Sequence, residues 1–236
     1  MWGLGAATAL VVGALVGLTG RVPRRLVALV MAFGAGALIS ALAYDLTEDA
    51  FAHGGALPVA GGLAAGALAF FTGEQLLHQE GAARLGARVK QVGTNGPAIV
   101  LGALLDGIPE SVVLGTTLLA GTGIGVPFLA AVFISNVPEG LSAAADLRKE
   151  GWRPALIIGL WVGVALVSGL ASALGYGLIG EMGASSVPLI QSFAAGAILT
   201  MLADTMIPEA FAEGGDLTGL ATVFGFATAF LLSTVS

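Results

Sequence analysis

The stretch PALIIGLWVGVALVSGLASALGYGLIG, Pro154 to Gly180, contains no Asp, Glu, Lys or Arg. A helix needs roughly 20 mostly apolar residues to cross a bilayer. This run is long enough and carries no charge to stop it. Other stretches read the same way: Met1–Gly20, Leu26–Tyr44, Gly54–Gly73, Met182–Ala203 and Leu217–Ser236. Between Lys90 and Asp146 the only charges are Asp106, Glu110 and Glu139. That interval is too long for one helix and fits two, around 97–121 and 125–147, turning near Gly121–Gly125. The sum is eight spans in one transmembrane domain covering 1–236.

Composition agrees. The 236 residues are 56% hydrophobic and 10% charged, with 37 glycines and no cysteine. A soluble domain has about 25% charged residues and about 7% glycine. Low charge with high hydrophobicity also excludes a disordered chain. Without cysteine there is no disulfide framework and no thiolate metal site. Nine bases against fifteen acids, a net charge of −6, exclude a generic nucleic-acid-binding surface.

The bases set an orientation. All nine fall in three clusters: Arg21, Arg24, Arg25; Arg84, Arg88, Lys90; and Arg148, Lys149, Arg153. With eight spans these are the 1–2, 3–4 and 5–6 connections, all on one side. The positive-inside rule makes that side cytoplasmic and puts both termini outside. The first apolar run has no base before it and three after it, which marks an uncleaved first helix rather than a signal peptide. An integral protein of the plasma or inner membrane is the expectation.

Two stretches far apart in the chain match at a constant offset. Gly36-Ala37-Leu38-Ile39-Ser40 pairs with Gly196-Ala197-Ile198-Leu199-Thr200. Asp49-Ala50-Phe51-Ala52-His53-Gly54-Gly55 pairs with Glu209-Ala210-Phe211-Ala212-Glu213-Gly214-Gly215. They belong to helices around 26–55 and 186–215, the second and seventh, which run in opposite senses. Asp106-Gly-Ile-Pro109-Glu110-Ser111 likewise matches Ser135-Asn-Val-Pro138-Glu139-Gly140 on the fourth and fifth. The repeat is therefore inverted, which is a mark of transporters with sites at the midplane.

The central acids carry the chemistry. An ionised carboxylate at membrane depth is costly unless paired, solvated or bound to a cation. Asp106 and Glu110 are four apart and share a helix face. Glu139 sits on the next helix, with Ser135 and Asn136 on its side. Pro109 and Pro138 each remove a helical hydrogen bond, freeing the carbonyls of Leu105 and Ile134. Kinked backbone at this depth belongs where it lines a cavity. No base lies in the spans, so the balancing charge is a proton or a bound cation. All-oxygen ligands suit hard divalent ions. The candidate metal residues are Asp106, Glu110, Ser135, Asn136 and Glu139.

Asp45, Glu48, Asp49 and His53 form one stripe at the outer end of the second helix, a candidate entrance or a solvated helix end. Glu209 and Glu213, with Asp216, mirror them as a candidate exit, and Asp204 lies deeper. Glu74 and His78, four apart, read as a loop-facing pair. Gly13/Gly17, Gly62/Gly66 and Gly159/Gly163 are spaced for close helix contact.

These motifs resemble the ZIP (Zrt/Irt-like protein) family of divalent metal transporters along essentially the whole chain. The resemblance implies an eight-helix fold, a mid-membrane metal site on the fourth and fifth helices, alternating access and a homodimer. Glu110 and Glu139 match the family's motif glutamates, and Pro109 and Pro138 its prolines. Asp106 and Gly107 stand at the usual histidine and asparagine positions, and Ser135 where His or Gln is common. The sixth helix lacks the acid that many members carry, which implies one metal site rather than two. Zn²⁺ is typical of the family. With no imidazole at the site, preference moves toward Mn²⁺, Fe²⁺, Mg²⁺ or Ca²⁺. The metal is cargo, and no catalytic cofactor is expected. Two other readings are a proton- or sodium-coupled carrier of a small organic solute and an intramembrane enzyme. The first would need recognition groups beyond carboxylates. The second would need two acids sharing a proton, such as Asp106 or Glu110 with Glu139.

Overall fold

The computed structural model describes residues 2–80, 96–116, 126–182 and 186–235. Every regular element among them is helical. The turn expected near Gly121–Gly125 and the bases Arg84, Arg88 and Lys90 lie outside the described residues.

The helices are α1 (Trp2–Gly17), α2 (Arg24–Gly54), α3 (Ala56–Glu80), α4 (Gly96–Thr116), α5 (Val126–Lys149), α6 (Pro154–Met182), α7 (187–214) and α8 (Thr218–Val235). Five stretches of the described residues are long and apolar enough to cross a membrane. They are Arg24–Gly54, Ala56–Leu76, Val126–Lys149, Pro154–Gly177 and Val187–Val235, the last holding both α7 and α8. Proline marks the beginnings. Pro97, Pro127, Pro154 and Pro188 fall in the first two positions of their helices, where a missing N–H costs nothing. Pro58 is third in α3.

The helices read as around 26–55 and 186–215 run over 24–54 and 187–214, each beyond the charge-free stretch that marks its span. The second continues past Tyr44 through the acids to Gly54. Met182 closes α6, and the seventh starts at Val187 and continues past Ala203 to Gly214. Acids gathered on one side of a helix leave its other side apolar, so they do not end it. Both extended helices contain a π turn, at Leu42–Thr47 in α2 and at Leu202–Met206 in α7. Both end at a glycine with positive φ, Gly55 (77°) and Gly215 (65°). The turns begin at the offset that carries Gly36 onto Gly196, and so do these glycines. Only glycine takes that backbone conformation without steric cost.

Small residues set the packing. α2 is the central rod, burying Ala28, Met31, Ala32, Ala35, Leu38 and Ala41. It packs along α8 and α5, and α3 packs along α7. α5 also packs along α1, and α6 along α1 and α4. A side chain at Gly225 would strike the carbonyl of Phe33, and one at Gly66 that of Phe193. Phe33 and Phe193 are again related by the repeat offset. Of the three spaced glycine pairs, Gly13/Gly17 abut α5 and Gly62/Gly66 abut α7, while Gly159 and Gly163 face open space. Large apolar residues such as Leu166, Leu170, Val223 and Phe224 point outward, as a lipid-facing surface requires.

Candidate metal path

α4 and α5 deliver the central acids, each helix carrying an internal proline, Pro109 and Pro138. Glu110 is 3% exposed. Asp106 and Glu139 are partly buried and line a cavity of about 240 Å³. Ser142, Asp146, Trp161, Met31 and Glu209 share that lining, with no lysine or arginine among them. Glu139 lies within electrostatic reach of Asp106, Glu110 and Glu209. Asp106 is within reach of Glu74 and Glu209. Carboxylates from α3, α4, α5 and α7 thus converge. Among the described residues, no three His, Cys, Asp or Glu side chains form a compact group for one ion. The arrangement is an acid-lined passage rather than a closed cage.

A second cavity of about 440 Å³ adjoins the first, sharing Met31, Ser142, Asp146 and Glu209 in its lining. It reaches the basic end of the bundle at Arg24 and Lys149. There Arg24 donates to Glu213 Oε1 at 2.9 Å and to Asp146 Oδ1 at 3.2 Å, joining α2, α7 and α5. Lys149 Nζ is 2.8 Å from the same Asp146 oxygen, and the Ser142 hydroxyl donates to Glu209 Oε1 at 3.1 Å.

Not every candidate joins the cavity. Ser135 is buried, its hydroxyl donating to the Val132 carbonyl at 3.0 Å, with α2 close against it at Gly34. Asn136 Nδ2 donates to the Ala6 carbonyl of α1 at 3.4 Å. Asn136 thus ties α5 to α1, Ser135 bonds back to its own helix, and neither lines the passage. Asp204 sits in the π turn of α7 and is exposed. Glu48 and His53 are exposed at the far end of α2, where His53 Nδ1 is 3.3 Å from Asp49 Oδ1. Asp45 and Asp49 are partly buried, and Gln191 Nε2 of α7 donates to Asp49 Oδ2 at 3.4 Å.

Four residues here escaped the sequence reading. Ser142 and Asp146 lie one and two turns beyond Glu139 on the same side of α5, and that spacing is visible in the sequence. Trp161 and Gln191 gave no signal, being one aromatic and one amide inside apolar runs. Glu74, read as loop-facing, instead lies within electrostatic reach of Asp106.

No family model matches the sequence. The chain is 26% identical over 182 residues to a protein of Arabidopsis thaliana described as a putative zinc transporter. The match covers 76% of this chain and 29% of that protein, so the chain spans under a third of the relative's length. The long apolar helices mark an integral membrane protein, and its similarity is to a protein described as a putative zinc transporter.

Proposed function

We propose that this chain, a divergent member of the ZIP family of divalent metal transporters, carries hard divalent cations toward the cytoplasm through the passage lined by Asp106 and Glu139. The observation that carries the reading is this passage: acids from several helices, no lysine or arginine in the deep cavity among the described residues, and a proline inside each of α4 and α5. A bound cation supplies the positive charge that the lining lacks. Carboxylate and hydroxyl oxygens without imidazole favour Mn²⁺, Fe²⁺, Mg²⁺ or Ca²⁺ over softer preferences, while Zn²⁺ also accepts carboxylates.

Eight helices cross the bilayer with both termini outside, so the basic end carrying Arg24 and Lys149 faces the cytoplasm. The joined cavities then lead from the central acids to the cytoplasmic surface, an inward-open state. The π turns and the closing glycines recur at the offset of the sequence repeat, and so do Phe33 and Phe193 in the glycine contacts. They support an inverted repeat, the arrangement that permits an opposite, outward-open state. The family implies a homodimer.

Uptake into proteoliposomes tests this, with Zn²⁺, Mn²⁺, Fe²⁺, Mg²⁺ and Ca²⁺ in competition. Saturable divalent uptake that is lost in Glu110→Gln and Glu139→Gln is the expected result. Transport of an organic solute without metal, or metal uptake unchanged in both variants, refutes the assignment.

A further inference from the structure

The far end of α2, opposite Arg24, holds polar groups that the passage above leaves unused. Gln191 is 2% exposed, and its Oε1 is buried with no hydrogen-bond partner among the described residues. Its Nε2 donates to Asp49 Oδ2 at 3.4 Å, which sets the amide beside that carboxylate. Asp45 is four residues before Asp49 and shares its face of the helix. Asp45 Oδ2 is likewise buried with no partner among the described residues. Ser40 Oγ, five residues earlier across the π turn, is a third such atom.

A carboxylate oxygen and an amide carbonyl only accept hydrogen bonds. Buried without a donor, each is unfavourable, and the remedies are a donor or a cation. The described lysines and arginines lie at the opposite end of the bundle, in the 1–2 and 5–6 connections. His53, the base close by, has a side chain 70% exposed and sits on the outer flank of Asp49. A π turn also leaves backbone carbonyls poorly paired, and such turns recur at functional sites. The one in α2 contains Asp45.

The internal repeat supplies a second argument. Its offset carries Asp49 onto Glu209 and relates Gln191 to Met31. Glu209 and Met31 both line the open cavity with Asp106 and Glu139. Asp49 and Gln191 therefore occupy, in the other half, the place that the open arm of the passage occupies in this one.

We propose that Asp45, Asp49 and Gln191 form a second cation station, which holds a hard divalent ion on its way to the central acids. The proposal rests on the reading that the chain carries such ions. Two carboxylates match the divalent charge, and the amide carbonyl adds a neutral hard oxygen. A half turn of the Gln191 amide brings that carbonyl to the ion, because the NH₂ group cannot ligate. Glu48 and His53, both exposed, stay outside the station.

Mn²⁺ binding to the purified full chain, by calorimetry and electron paramagnetic resonance, tests it. The parent is expected to bind two ions. The double variant Asp45→Asn with Asp49→Asn keeps one, and Glu110→Gln with Glu139→Gln keeps the other. Gln191→Leu is similar in volume and adds no charge, and it guards against misfolding of the double variant. It should weaken one ion roughly 5- to 10-fold, the loss of one ligand contact. The station is refuted if the Asp45/Asp49 variant and Gln191→Leu both bind Mn²⁺ as the parent does. It is also refuted if the Glu110/Glu139 variant binds no ion. If that variant keeps both ions while the Asp45/Asp49 variant loses one, the station stands and the central assignment falls.

Discussion

Replacing Glu139 by glutamine keeps the shape of the side chain and removes one charge from the passage. Glu139 lines the cavity with Asp106, and among the described residues no lysine or arginine lines it to take over the lost interaction. Removing one charged contact costs about 1.5–3 kcal/mol. That corresponds to roughly a 10- to 150-fold weaker Kd. The loss carries into thermal stability. A ligand at 100 times its Kd stabilises the folded state by about 2.7 kcal/mol, through RT ln(1 + [L]/Kd). If Kd rises about 100-fold at the same concentration, the same expression gives about 0.4 kcal/mol. The metal-induced rise in Tm should therefore shrink to roughly one-seventh of the parent's. Calorimetric titration with Mn²⁺ and thermal unfolding in detergent, with and without metal, measure both quantities. The metal-free Tm should hardly move. An unchanged Kd together with an unchanged metal-induced shift in Glu139→Gln would refute the idea that this carboxylate faces the cargo.

Other outcomes follow from the packing and the charges. Gly225→Ala places a methyl against the Phe33 carbonyl and should destabilise by about 1–3 kcal/mol, the usual cost of overpacking. Gly159→Ala meets no neighbour in the chain and should be neutral or stabilising by up to about 1 kcal/mol; thermal unfolding compares the two. Arg24→Gln removes two exposed ion pairs, so its Tm shift should be small in low salt and vanish near 1 M salt. Trp161 lines the acid cavity at 0% exposure, so paramagnetic Mn²⁺ should quench its emission. Trp161→Phe should remove most of that quenching, although Trp2 and Trp152 remain, and fluorescence titration reads it directly.

Much of the architecture was legible because a bilayer allows so few solutions. Every buried backbone group must be satisfied within the span, so charge-free runs become helices, as Pro154–Gly177 does. Acids at helical spacing carry the second and seventh helices past their charge-free stretches rather than ending them. Asp45 and Asp49 lie on one side of a helix that continues beneath them. Asp106 and Glu139 stood out as candidates because an unpaired acid at depth is expensive. Ser135 and Asn136 were chosen by their spacing from Glu139. Spacing fixes a side of a helix and not the partner packed there, which for Asn136 is the carbonyl of Ala6 on α1. Trp161, Gln191 and the reach of Glu74 toward Asp106 depend on how helices far apart in the chain meet. A single sequence carries no signal for that.

The interlocking of α2 with α8 and of α3 with α7 bears on how the protein is made. Gly36 rests against Thr222, and Gly66 against Phe193. These glycines pack against residues 187–235, far later in the sequence. During synthesis α2 and α3 enter the bilayer first and must wait, their glycine faces uncovered, until residues 187–235 emerge. Contacts this distant in sequence form late and slowly. The long-lived half-built species is thus one with bare small-residue grooves in lipid, open to any other helix that fits them.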